Sequence, residues 1–346
     1  MPKREKVFYR KCFIMKRKLF ILILISVLCV LTVFSSCTKP DMNAGGTDKK
    51  KIITVSVFPI YDWVREVSRG SGGVDVRLLI DSGTDMHSYQ PSAADILKIT
   101  QSDMFIFVGG ESDEWAKKAL ENDSSSKTEA LAVTDALEDY LLAEEELPGI
   151  EDKHSHAHEE AGETENDEHV WLSLKNAEVF TDIIAEKLAS TDPENADLYY
   201  NNAKNYVSRL SELESEYNSV VKNAKRDVII VCDRFPFRYL TDEFSIKYYA
   251  AFSGCTSETD ASFKTVSFLI NKANELKTDC LITADGSDKK LARTVASCMN
   301  EKDIKILTLD SMQTVSKRDI DGGKTYLSVM RSNLETLSCA LDSEGK

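Results

Sequence analysis

Residues 192–221 read DPENADLYYNNAKNYVSRLSELESEYNSVV, and this segment decides how the remainder is arranged. Apolar or aromatic side chains recur at Ala196, Tyr199, Ala203, Tyr206, Leu210, Leu213, Tyr217 and Val220, with gaps alternating between three and four. That spacing lays a single stripe along a helix. Asp192-Pro193 supplies an N-cap acceptor followed by proline at the first helical position. The stripe predicts one continuous helix of about 30 residues, roughly 45 Å long. A coiled-coil seam between two copies would show the same stripe. The segments on either side favour a backbone helix packed across two lobes of one chain.

Before the helix, residues 52–57 and 74–80 are β-branched runs of strand type, and residues 60–68 between them have helical spacing. Residues 93–101 read as a helix and 104–108 as a buried strand closed by Gly109-Gly110. After it, strands at 228–231, 246–252, 280–283 and 304–309 alternate with helices at 237–244, 261–276 and 289–299. Strand alternating with helix argues for parallel sheets covered by helices. The fold class is therefore α/β: an N-terminal lobe over 52–190, a linking helix over 191–223 and a C-terminal lobe over 224–346.

Residues 1–37 read as an export signal. Lys16, Arg17 and Lys18 precede an apolar run over 19–34, which ends in Ser35-Ser36-Cys37. The run is short for a spanning helix, which needs about 20 residues, although an uncleaved anchor has the same general shape. Met15 opens a signal of more usual proportions than Met1. Small-small-Cys resembles the bacterial lipobox, which would make Cys37 the lipidated first residue, followed by a flexible tether over 38–51. The function then belongs outside the cytoplasm, at a membrane surface. The 346-residue chain has 43 basic and 57 acidic residues, a net charge of −14. Eight of the basic residues and one acidic residue precede position 38, leaving 35 against 56 in the body. A body so acidic repels phosphate backbones, which excludes nucleic acid as a partner.

Five cysteines follow the signal (Cys232, Cys255, Cys280, Cys298 and Cys339), an odd number without CxxC spacing, so no disulfide framework is indicated. Residues 144–168 hold eleven acidic residues, one lysine, and His154, His156 and His158. Lacking apolar periodicity, this segment reads as a loop. Imidazoles at alternate positions amid carboxylates make a weak divalent-cation collector; an acidic solvated loop with incidental histidines is the plainer alternative.

The two remaining histidines are His87, in residues 83–91 (GTDMHSYQP), and His169, in residues 167–171 (DEHVW). Both stand at entries to helices, where ligand sites of open α/β sheets gather. These motifs, with Phe58-Pro59-Ile60-Tyr61, Ser92-Ala93-Ala94-Asp95, residues 103–109, Glu114-Trp115, Lys175-Asn176 and the His-rich acidic insert, resemble the zinc/manganese substrate-binding lipoproteins of ABC transporters, the cluster A-I solute-binding proteins. The resemblance covers nearly the whole mature chain in order. It implies two α/β lobes joined by a rigid backbone helix, with a metal in the interlobe cleft and His87 and His169 as ligands from the first lobe. It further implies a monomer that captures Zn²⁺, or Mn²⁺, and delivers it to a cognate permease whose ATPase is a separate chain.

The C-terminal lobe departs from the family pattern. The expected third ligand, a His or Glu, falls on Arg234, which cannot bind a cation. Neighbouring registers offer Asp233 or Cys232, and Cys255 also stays open. The fourth ligand implied by the resemblance is Asp285. A thiolate shell suits Zn²⁺, and a carboxylate in its place relaxes the preference towards Mn²⁺. Binding should weaken below about pH 6 as imidazoles protonate. No Ser-His pair, HExxH or Walker loop occurs, so the chain reads as a binder and not an enzyme. An extracytoplasmic zinc hydrolase built on His87, His169 and Asp285, with Glu111 or Glu114 as base, is the alternative. A surface adhesin with a structural metal and a siderophore or haem binder share the plan.

Overall fold

Strand and helix alternate as expected in the computed structural model, which describes residues 50–121, 127–145, 147–148, 166–254 and 261–342. The export signal, Cys37, the tether up to residue 49, the histidines 154, 156 and 158, and Cys255 lie outside the described residues.

The first lobe contains β1 (Lys51–Val55), α1 (Phe58–Ser68), β2 (Val74–Leu78), α2 (Ala93–Thr100), β3 (Met104–Phe107), α3 (Glu114–Glu121), β4 (Glu129–Ala132) and α4 (Val133–Ala136). Two long helices follow, α5 (Leu174–Thr191) and α6 (Ala196–Lys222). The second lobe contains β5 (Val228–Phe235), α7 (Arg238–Glu243), β6 (Lys247–Ser253), α8 (Phe263–Leu276), β7 (Cys280–Ala284), α9 (Lys290–Cys298), β8 (Lys305–Leu309), α10 (Lys317–Asp321) and α11 (Tyr326–Ala340). Each lobe is built on a four-stranded sheet, in the orders β2-β1-β3-β4 and β6-β5-β7-β8, with every pairing parallel. Parallel pairs need crossover connections, and the helices between strands supply them.

The spine helix is shorter than its stripe suggests. Pro193–Asn195 forms a separate 3₁₀ turn, and α6 then runs for 27 residues. Asp192 makes no cap bond to the backbone; its carboxylate instead accepts from the Tyr199 hydroxyl at 2.5 Å and the Asn195 amide at 2.9 Å. Tyr199, Ala203, Tyr206, Leu210, Leu213 and Tyr217 are buried within the chain. The stripe is thus covered by the protein's own elements, and the coiled-coil alternative falls. One apolar core runs from the inner face of the first sheet through this stripe to the inner face of the second. Smaller clusters fill the outer faces, one around Phe105 and Phe107, the other around Cys232, Leu269 and Leu281.

The two lobes are also tied directly. The α11 backbone N–H of Tyr326 donates to Asp62 on α1 at 2.8 Å, and the Tyr326 ring stacks edge-on against Trp63 at 5.2 Å. Leu210→Ala should cost about 2–5 kcal/mol through the cavity it leaves. Urea unfolding should register this loss independently of protein concentration, since the stripe has no second copy to lose.

Candidate metal centre

His87 and His169 stand 82 residues apart in the sequence, and the fold brings their Nε2 atoms to 3.2 Å. Each is placed by the same local device. In Asp85-Met86-His87 and Asp167-Glu168-His169, the aspartate carboxylate accepts the backbone N–H of the histidine two residues on, at 3.0 and 2.8 Å. Short polar side chains commonly fold the backbone back in this way. The turn around His87 is a 3₁₀ segment, Met86–Ser88, and that after His169 is Val170–Leu172, leading into α5.

The two rings are shifted in opposite directions. His169 is fully buried, and Asp167 Oδ1 lies 2.9 Å from its Nδ1. Burial opposes a charge on this ring, yet the Asp167 carboxylate overcomes it and raises the pKa above the ordinary imidazole range. Once the ring is neutral, the same bond keeps the remaining proton on Nδ1 and frees Nε2 to ligate, an arrangement that orients metal-binding histidines. His87 is pushed down to about 4, first by burial and then by the charge on His169. Its Nδ1 lies 2.6 Å from Ser112 Oγ.

A separation of 3.2 Å is that of a hydrogen bond between the rings, and it is also the spacing of two ligands on one zinc ion. Two nitrogens, each about 2.0–2.1 Å from a tetrahedral Zn²⁺, are about 3.3 Å apart. A third group completes the wall: Gln313 Nε2 lies 2.9 Å from His169 Nε2. The two ends of an amide are nearly isosteric, so the same side chain can turn its oxygen to a cation. Gln313 was not foreseen. It carries no charge and lies 144 residues from His169, in a loop without a motif.

The remaining expected ligands are placed otherwise. Cys232 faces the outer core with Ile230, Phe252 and Leu269, and burial pushes its thiol well above its usual range. Alternation along β5 sends it away from the cleft, because Val231 occupies the inner face. The register of β5 against β6 shifts between Val231 and Arg234. Within the shift, Asp233 Oδ1 accepts its neighbour's N–H at 2.9 Å, while Oδ2 is buried with no hydrogen-bond partner among the described residues. Arg234 reaches 2.6 Å across to Asp85 and ion-pairs with it. Asp285 is committed to the loop: it accepts from the Ser311 N–H at 2.6 Å, the Ser311 hydroxyl at 2.6 Å and the Thr314 hydroxyl at 2.7 Å. It therefore positions the segment carrying Gln313. Among the described residues no group of three or more His, Cys, Asp or Glu side chains gathers at one point. In the hydrolase alternative Asp285 would have to give up its bonds to Ser311 and Thr314 to serve as third ligand, and Glu114, one of its candidate bases, is paired with Lys118 at 2.7 Å on the surface.

Two parallel α/β lobes around a spine helix, with facing imidazoles from separated turns, define a two-lobe α/β protein with a candidate metal site at the facing turns. The family of ZnuA, described as zinc-uptake complex component A, periplasmic, matches residues 53–340. The chain belongs to this family. The zinc-binding lipoprotein AdcA of Streptococcus pneumoniae (strain R6) is 28% identical over 326 residues, or 93% of this chain and 61% of AdcA. The chain thus spans less than two thirds of that relative's length. The high-affinity zinc uptake system protein ZnuA of Bacillus subtilis is 28% identical over 310 residues, covering 89% of this chain and 92% of that protein. The Zn(II)-bound ZnuA-like domain of S. pneumoniae AdcA superposes with a TM-score of 0.67 at 26% identity, covering 85% of this chain and 100% of that domain. All three are named for binding or taking up zinc, and none for catalysis.

Proposed function

We propose that this chain is the extracytoplasmic zinc receptor of an ABC importer, holding one Zn²⁺ between His87 and His169 and delivering it to a membrane permease driven by a separate ATPase. The 3.2 Å approach of the two Nε2 atoms carries this reading. Gln313 turns its amide oxygen to the ion as a third donor, and water fills the remaining place. Cys232 stays in the core and takes no part, while Asp285 acts through the loop it holds. These donors are neutral, so the charge of the ion is balanced by nearby carboxylates, chiefly Asp167 behind His169. Imidazole favours Zn²⁺ over Mn²⁺, which binds the same shell more weakly.

In the same reading the chain works as a monomer. Residues 52–190 and 224–346 act as the two lobes and 191–223 as the link. Cys37 carries the lipid that keeps the receptor at the membrane, and His154, His156 and His158 collect ions for it.

Calorimetric titration of the full chain with Zn²⁺ between pH 5.5 and 8 tests this. One tight equivalent is expected. His87 is neutral down to about 4, so only His169 gives up a proton. Below the His169 pKa, affinity should therefore fall by about tenfold per pH unit, with one proton released per ion. Absence of the tight equivalent, or an affinity flat across this range, defeats the reading.

A further inference from the structure

Glu168 stands next to His169 in the chain and is only 4% exposed. Its Oε1 accepts the Ser112 backbone N–H at 2.8 Å. Its Oε2 is buried with no hydrogen-bond partner among the described residues. A carboxylate oxygen left in this condition is costly unless a positive charge or a donor meets it. Ser112 also holds the His87 ring through its hydroxyl, so one residue anchors both the carboxylate and the imidazole.

Both side chains line a cavity of about 1150 Å³ that also receives Glu111, Asp135 and Glu138, against Lys117 as the lysine on its described wall. Clefts lined by one sign of charge concentrate the opposite ion. Room for the carboxylate comes from Gly110, where a Cβ would overlap the Glu168 side chain.

We propose that Glu168 Oε2 is a second, weaker cation subsite, which receives a hydrated divalent ion from the acidic cavity and passes it to His87 and His169. Oxygen and water ligands suit a hard, still-hydrated ion, and imidazoles replace its waters as it moves inward. The proposal rests on the capture reading for the destination of the ion, but not for the subsite itself.

The test uses the full chain preloaded with one equivalent of Zn²⁺ and titrated with Mn²⁺, bound Mn²⁺ being counted by electron paramagnetic resonance. Stopped-flow zinc capture by the zinc-free chain supplies the rate. Glu168→Gln keeps the shape and the Ser112 bond. It should lose one weak Mn²⁺ equivalent and capture Zn²⁺ about tenfold more slowly, with equilibrium zinc affinity within about threefold of the parent. Gly110→Ala, which displaces the carboxylate, should reproduce both losses. An unchanged Mn²⁺ count in Glu168→Gln overturns the subsite, as does an equilibrium zinc affinity that falls in step with the rate. Failure here leaves the tight zinc equivalent and its dependence on His87 intact, whereas failure of the capture reading removes that dependence.

Discussion

Zinc affinity in the His87→Ala variant should fall by at least about 100-fold, because loss of an outer partner of a ligand alone costs about 10–100-fold and here a ligand itself is removed. The residual donors are then His169 and Gln313, whose Nε2 atoms already lie 2.9 Å apart, leaving a single imidazole to hold the ion. The fold should tolerate the change. His87 sits in a short 3₁₀ turn held by the Asp85 carboxylate through a backbone N–H, which alanine retains. Calorimetric titration next to thermal melting separates the two effects. A variant that melts like the parent but binds zinc within about threefold of it would remove His87 from the centre.

Trp171→Ala should be the most damaging substitution to stability near the site, costing about 3–5 kcal/mol. The ring is buried, and its Nε1 donates to the Ser311 carbonyl at 2.9 Å, binding the start of α5 to the loop that carries Gln313. Its own carbonyl accepts the Tyr326 hydroxyl at 2.7 Å, so the same residue joins the first lobe to α11. His169 packs edge-on against it at 5.4 Å. Urea unfolding measures the loss, and zinc titration should show weaker binding, since both His169 and the Gln313 loop lean on this ring. Trp171→Phe keeps most of the packing and should recover most of the stability, short of about 1 kcal/mol for the hydrogen bond. An alanine variant within 1 kcal/mol of the parent would mean that the junction is held elsewhere.

Where pattern and chemistry are local, the residues announced the outcome. The β-branched runs became β1, β2 and β5, and the three-four stripe became the buried face of α6. Several elements went unforeseen, β4 and α11 among them. β4, Glu129–Ala132, holds two alanines and no β-branched residue, and it is a strand because β3 offers it an edge. α11 carries a capping box of Thr325 and Ser328, yet its apolar face, with Val329, Met330 and Leu337, reads clearly only once the surfaces it covers are in place.

The sequence by itself determined the lobe-helix-lobe order, the turns that present His87 and His169, and the acidity of the body. All of these depend on neighbours within a few positions, where sterics and hydrogen bonding leave few choices. Only the tertiary structure decided which groups meet. It paired Arg234 with Asp85 across 149 residues, set Gln313 beside His169, turned Cys232 into the outer core and tied Asp285 to its own loop. Those outcomes follow from strand register, from the shift within β5 and from how two sheets settle against one spine. A side chain one position away along a strand faces the opposite side, so no local rule could choose among Cys232, Asp233 and Arg234.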